Sequence, residues 1–83
     1  MLDIKVLGPG CANCQKVETT AKKAVANFGV KARITKVTDR QEIMAYNVLA
    51  TPGLVINEKL VSAGRIPGEA EVMTWVADAL ATV

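Results

Sequence analysis

The chain opens on an alternation. Leu2, Ile4 and Val6 fall on one side of an extended segment and Asp3 and Lys5 on the other, with Leu7 prolonging the apolar run, so residues 2–7 are predicted to form a strand. Gly8-Pro9-Gly10 ends it, because proline lacks a ladder donor and glycine admits tight turns. From about Cys11 to Phe28 the period becomes helical: Val17, Ala21, Ala24 and Phe28 make one stripe, with Cys14 and Val25 at its border. Lys16, Glu18, Lys22 and Lys23 are expected to face outward, and Gly29 to close the helix. A period of two returns in Val30, Ala32 and Ile34, whose polar neighbours predict a strand over residues 30–37 near a sheet edge.

Thr38 is the expected N-cap of a short helix ending near Asn47, with Gln41 completing a capping box and Ile43, Met44 and Tyr46 available to the buried side. Leu49-Ala50-Thr51-Pro52 leads back toward the sheet. Leu54-Val55-Ile56 and Leu60-Val61-Ser62-Ala63 flank Asn57-Glu58-Lys59 and predict a hairpin, although its turn lacks the Asn-Gly or Asp-Gly pair that fixes type and register. After Arg65-Ile66-Pro67-Gly68, a last helix runs from about residue 68 or 69 to Leu80. Its inner face is Val72, Val76, Ala79 and Leu80, and Glu69 and Glu71 sit at its positive end. The order β-α-β-α-β-β-α predicts an α/β fold: a four-stranded mixed sheet, one parallel pair and one hairpin, flanked by helices.

Eighty-three residues suffice for one core, so residues 1–83 are expected to form a single domain. The 51% apolar share leans on Ala and Val, which predicts a small-residued core. Ten Lys and Arg against eight Asp and Glu leave +2 with the signs intermixed, which argues against nucleic-acid binding. No stretch approaches the roughly 20 apolar residues of a membrane span, and the first residues do not read as a signal peptide. Two cysteines do not make a secreted disulfide scaffold, so a cytoplasmic, reducing setting is expected, where a close pair reads as redox or metal chemistry. The absence of histidine excludes Cys/His triads and His-based zinc sites.

Cys11-Ala12-Asn13-Cys14 carries the candidate chemistry. Two thiols at this spacing can close a disulfide, give two thiolates to a soft metal, or simply pack. A cysteine at a helix start faces unpaired amides and the positive end of the macrodipole, which favour thiolate. Cys11 is therefore the expected nucleophile and Cys14, nearly one turn on, the expected resolving thiol, with no cofactor needed. Pro9 could shape the turn ahead of the nucleophile, and Asn13 could tune its exposure or hydrogen bonding. Arg65 is a solvated charge or a contact for an anionic partner.

Ile4-Lys5-Val6-Leu7-Gly8-Pro9-Gly10-Cys11-Ala12-Asn13-Cys14, Lys36-Val37-Thr38-Asp39, Thr51-Pro52-Gly53-Leu54-Val55-Ile56-Asn57 and Gly64-Arg65-Ile66-Pro67 together resemble the small thioredoxin-like proteins of bacteria and archaea known as redox-active disulfide proteins. The resemblance implies a minimal thioredoxin fold with thiol–disulfide exchange at Cys11 and Cys14. It also implies a cis Pro52 facing them, and Thr51 and Gly53 flanking a bound substrate peptide. Partners would be protein disulfides and a thioredoxin-reductase-like enzyme or glutathione, the protein itself being a monomer or weak dimer. Lys5 occupies the position where classical thioredoxins carry a buried acid, so it either lowers a cysteine pKa or covers apolar surface with its stem. The chain departs from thioredoxins proper in having Gly10 before the first cysteine and Ala12-Asn13 between the pair. The rival readings are a soft-metal carrier using the same two thiolates, whose fold would need its second and third strands in direct succession, a glutaredoxin-like glutathione-dependent reductase, and a non-catalytic adaptor.

Overall fold

The computed structural model describes residues 2–10, 12–48 and 50–81. In chain order the elements are β1 (Leu2–Leu7), α1 (Ala12–Phe28), β2 (Ala32–Val37), α2 (Arg40–Ala45), β3 (Gly53–Ile56), β4 (Lys59–Ala63) and α3 (Glu69–Ala81). The four strands form one mixed sheet in the order β2-β1-β3-β4. β1 runs parallel to β2, with Ile4 opposite Ile34, and antiparallel to β3, with Leu7 opposite Gly53. The helix α2 separates β2 from β3, so these strands do not follow one another directly as the metal-carrier fold would require.

The alternation along β1 sorts the sheet into two faces. Leu2, Ile4 and Val6 pack with Val17, Ala21, Ala24 and Val25 of α1 and Val72 and Val76 of α3. Leu7 turns to the other face and joins Val37, Val55, Val48 and Ile43 of α2. Ile4, Leu7, Leu54, Val55, Val17, Val72 and Val76 are fully buried; each such side chain contributes about 1.5–3 kcal/mol on burial.

Four local expectations are corrected by the structure. Asp39, not Thr38, caps α2: its backbone is extended and its side chain accepts from Gln41 N at 3.1 Å. A carboxylate outranks a threonine hydroxyl at this position and complements the helix dipole. The helix ends at Ala45, with Asn47 in the left-handed region (φ 61°), and Met44 is 61% exposed rather than inward. In α3 the buried residues are Val72 and Val76, whereas Leu80, one turn further on, is 38% exposed.

The hairpin turn is the fourth. It spans two residues, Asn57 (φ 50°) and Glu58 (φ 68°), and Lys59 belongs to β4. Positive φ at both positions is the geometry of a type I′ hairpin, which disfavours a glutamate by roughly 1–2 kcal/mol. Tertiary contacts offset that. Asn57 N donates to Asp3 O (2.7 Å) and Asn57 Oδ1 accepts from Asp3 N (3.0 Å), while Glu58 takes hydrogen bonds from Lys5 and Tyr46.

Candidate functional site

The site lies where β1 ends and α1 begins. Of the cysteine pair, Cys11 falls outside the described residues; in sequence it immediately precedes Ala12, the first described residue of α1. Cys14 sits in the first turn of α1 and is buried on the same stripe as Val17 and Ala21, whereas Ala12 and Asn13 are exposed. The first turn of α1 carries no acidic side chain, so its positive end is not neutralised from within the helix.

Gly8 brings the parts together. Its N–H donates to Val37 O at 3.0 Å, continuing the β1–β2 ladder by one residue. Its missing side chain is the space occupied by Cys14: a Cβ on Gly8 would overlap the Cys14 Sγ and stand 3.5 Å from the Cys14 Cβ and 3.8 Å from the Thr51 Cβ. The resolving-thiol candidate and the segment before Pro52 therefore meet across Gly8. Sequence reading treated Gly8 only as a strand breaker, and the signal it missed is that a residue facing a buried sulfur across a tight turn has no room for a β-carbon.

The Thr51–Pro52 peptide is cis, with Thr51 exposed and Pro52 buried. The adjoining loop holds this segment in place. Gly64 N (φ 76°) donates to Pro52 O at 2.9 Å. Beyond it Arg65 forks onto Glu71, Nη1 to Oε1 at 3.1 Å and Nη2 to Oε2 at 2.7 Å, and Glu71 Oε1 also accepts from Gly68 N at 3.2 Å. Arg65 thus remains the solvent-exposed charge expected from the sequence, and its surface ion pair ties the loop to the start of α3. Its guanidinium, with the Gly68 amide, holds the Glu71 carboxyl below its ordinary pKa. Gly53 is buried, and a Cβ there would touch Leu7 at 3.4 Å, so the absent side chain faces the core. Pro9 is exposed beside Gly8 and Gly10.

Lys5 does not line the cavity beside Cys14. The pleat turns it to the α2 face, where its Nζ donates to Tyr46 Oη (2.7 Å) and Glu58 Oε1 (2.5 Å), and the Tyr46 hydroxyl donates to Glu58 Oε2 (2.9 Å). These hydrogen bonds raise the Lys5 pKa and lower that of Glu58. The charge is spent on the hairpin turn. Lys5→Met is therefore expected to leave the thiol titrations of Cys11 and Cys14 unchanged, as followed by alkylation rate against pH. A shift of about one pKa unit, worth about 1.4 kcal/mol, would return Lys5 to the redox site.

A different charged pair stands beside Cys14. A cavity of about 170 Å3 is lined by Val6, Gly8, Cys14, Glu18 and Lys36, among others. Glu18, expected to face outward, has a side chain only 15% exposed. It is one turn beyond Cys14 on the same helix face. Its Oε1 is 3.2 Å from Lys36 Nζ and its Oε2 3.2 Å from Lys22 Nζ. Burial pushes the Glu18 carboxyl up, but the hydrogen bonds from Lys36 and Lys22 outweigh it and hold the group below its ordinary value. The spacing Cys14 to Glu18 was the signal available in the sequence; the lysine count on α1 hid it by making that face read as wholly solvated.

Comparison with known proteins bears on the family and the fold. The sequence matches the thioredoxin domain family over residues 2–77. It is 35% identical over 72 residues to a thioredoxin of Methanothermobacter thermautotrophicus, covering 87% of this chain and 94% of that protein. It is 39% identical over 72 residues to a thioredoxin of Methanocaldococcus jannaschii, covering 87% and 83%. The fold is shared with the crystal structure of the germline-specific thioredoxin Deadhead of Drosophila melanogaster (TM-score 0.63, 19% identity), over 93% of this chain and 79% of that one.

Proposed function

This chain belongs to the thioredoxin family, whose members are thiol–disulfide oxidoreductases, and we propose that it exchanges disulfides with protein substrates through Cys11 and Cys14. The Cys11 thiolate attacks one sulfur of a substrate disulfide; that S–S bond breaks, one substrate thiolate leaves, and a mixed disulfide remains. Cys14, as thiolate, attacks the Cys11 sulfur, releases the second substrate thiol and leaves an internal disulfide. A reductase or glutathione then returns the pair to the dithiol, and the cytoplasm is the compartment in which such recycling proceeds.

The observation that carries the reading is the meeting of Cys14 and Thr51 at Gly8. A sulfur that borders the same space at Gly8 as the exposed segment ahead of Pro52 offers a substrate peptide a backbone to lie along while its disulfide reaches the pair. Thr51 supplies that backbone, and Pro52 and Gly53, buried behind it, hold its course. Pro9 and Asn13, two positions before and after Cys11 in the sequence, are both exposed.

The reading is tested by insulin reduction with dithiothreitol as donor. Wild-type protein accelerates the reaction catalytically, and Cys11→Ser reduces the rate to that of dithiothreitol alone. Undiminished acceleration by Cys11→Ser would refute it.

A further inference from the structure

Ala12, Gln15, Lys16, Thr19 and Thr20 of α1, together with Ile66 in the loop ahead of α3, line an open groove of about 520 Å3. It begins at Ala12, the residue that follows Cys11 in sequence, and continues along the helix through positions that are exposed apart from the half-buried Thr20. Ala12 to Thr20 spans about 12 Å of helix, the reach of about four extended residues. The loop side offers apolar surface, Ile66 being 39% exposed. On the helix side Thr19 and Thr20 spend their hydroxyl protons on the carbonyls of Gln15 and Lys16, at 3.0 and 2.9 Å. Lys16 is the one charged residue among those that line the groove.

The charge of Lys16 is uncompensated. Among the described residues, Lys22 and Lys36 pair with Glu18 and Arg65 pairs with Glu71, whereas Lys16 has no acidic partner. α1 carries three lysines against one glutamate, and the seven bases and seven acids of the rest of the chain cancel, so the whole formal charge of +2 resides on this helix. A peptide segment in the groove therefore meets a local positive field: an Asp or Glu side chain gains an ion pair there, and a Lys or Arg is repelled. Resting on the exchange reaction proposed above, we propose that the groove between α1 and Ile66 receives the stretch of a protein substrate that flanks its disulfide, and that Lys16 selects stretches carrying aspartate or glutamate. The groove's length places the selected acids within about four residues of the substrate cysteine.

The test uses short peptides whose single cysteine is activated as a thiopyridyl disulfide and is flanked on both sides by aspartates or by lysines. Release of thiopyridone gives the second-order rate constant. Each value is divided by the same protein's rate with hydroxyethyl thiopyridyl disulfide, which is neutral and too small to fill the groove, so that changes in Cys11 reactivity cancel. For wild type the acidic peptide reacts about fivefold faster than the basic one at low salt, the effect of one exposed ion pair at its upper end, and the ratio falls toward one in about 1 M salt. Lys16→Met brings the low-salt ratio near one and Lys16→Glu inverts it. Lys31→Glu makes the same change in net charge at the opposite end of β1, where the Lys31 carbonyl accepts from Leu2 N, and leaves the ratio within about twofold of wild type, a smaller effect than that of a single close ion pair. Ile66→Ser slows both peptides about threefold, as expected for losing part of an apolar contact, and keeps their ratio. All variants are checked for folding by circular dichroism. Equal rates for the two peptides with wild type, a ratio lowered as far by Lys31→Glu as by Lys16→Glu, or unslowed peptides with Ile66→Ser overturns the groove assignment while leaving disulfide exchange standing. Wild-type protein that does not end as the internal disulfide, read by mass, overturns exchange itself.

Discussion

Cys14→Ser is expected to convert the protein from a turnover catalyst into a trap. With the resolving sulfur gone, the mixed disulfide on Cys11 waits for an external thiol at millimolar concentration, whereas a positioned neighbouring thiol acts at an effective concentration many orders of magnitude higher. Turnover with insulin should fall about 100-fold or more. The reaction should also leave a covalent protein–substrate adduct that is visible on a non-reducing gel and released by dithiothreitol. Serine is close to cysteine in shape, and burying its hydroxyl at this position should cost about 1–3 kcal/mol of stability, which circular dichroism would register separately from turnover. Full turnover without adduct would show that some other group resolves the intermediate.

Gly8→Ala should produce the largest effect of any substitution outside the cysteine pair. The added carbon claims the space of the Cys14 Sγ. Two responses are open: the helix start moves off the strand, or the sulfur swings to another rotamer. The sulfur is the end of a short side chain and gives way more cheaply than backbone, so function should suffer more than stability. Overpacking costs of about 1–3 kcal/mol translate into a melting temperature lower by several to about 20 degrees for a chain of this size. A sulfur displaced by about 1 Å from its line of attack should slow resolution by about 100-fold. Resolution at the wild-type rate in Gly8→Ala would mean that the Cys14 sulfur does not depend on Gly8 for its position.

How much of this was legible in the sequence follows from the range of the interactions involved. The strand and helix order is carried by periodicity, a local property, and it emerges intact because β1 and α1 keep their apolar residues in register over several repeats. The cysteine pair was legible for the same reason, since two thiols three positions apart at a change of period need no tertiary knowledge. What failed was set by contacts distant in sequence. Glu58 tolerates a left-handed backbone because Lys5, 53 residues away, holds its carboxylate. The partner of Arg65, an exposed charge as expected, is Glu71, which only the placement of the start of α3 reveals. Glu18 reads as solvated until β2 delivers Lys36 beside it. Asp39 against Thr38 is a contest one residue wide, decided by where β2 stops pairing rather than by capping preference alone.

The most direct measurement is an equilibrium redox titration of the purified protein in dithiothreitol buffers of graded ratio, read by alkylating the remaining thiols and weighing the products. The account predicts one two-electron transition between dithiol and internal disulfide, changing tenfold per about 30 mV, with a midpoint between roughly −270 and −120 mV. It further predicts that the transition vanishes in either cysteine variant. A protein whose two thiols are alkylated independently across the whole range, or that never forms an internal disulfide while binding copper(I) tightly and stoichiometrically, would contradict it.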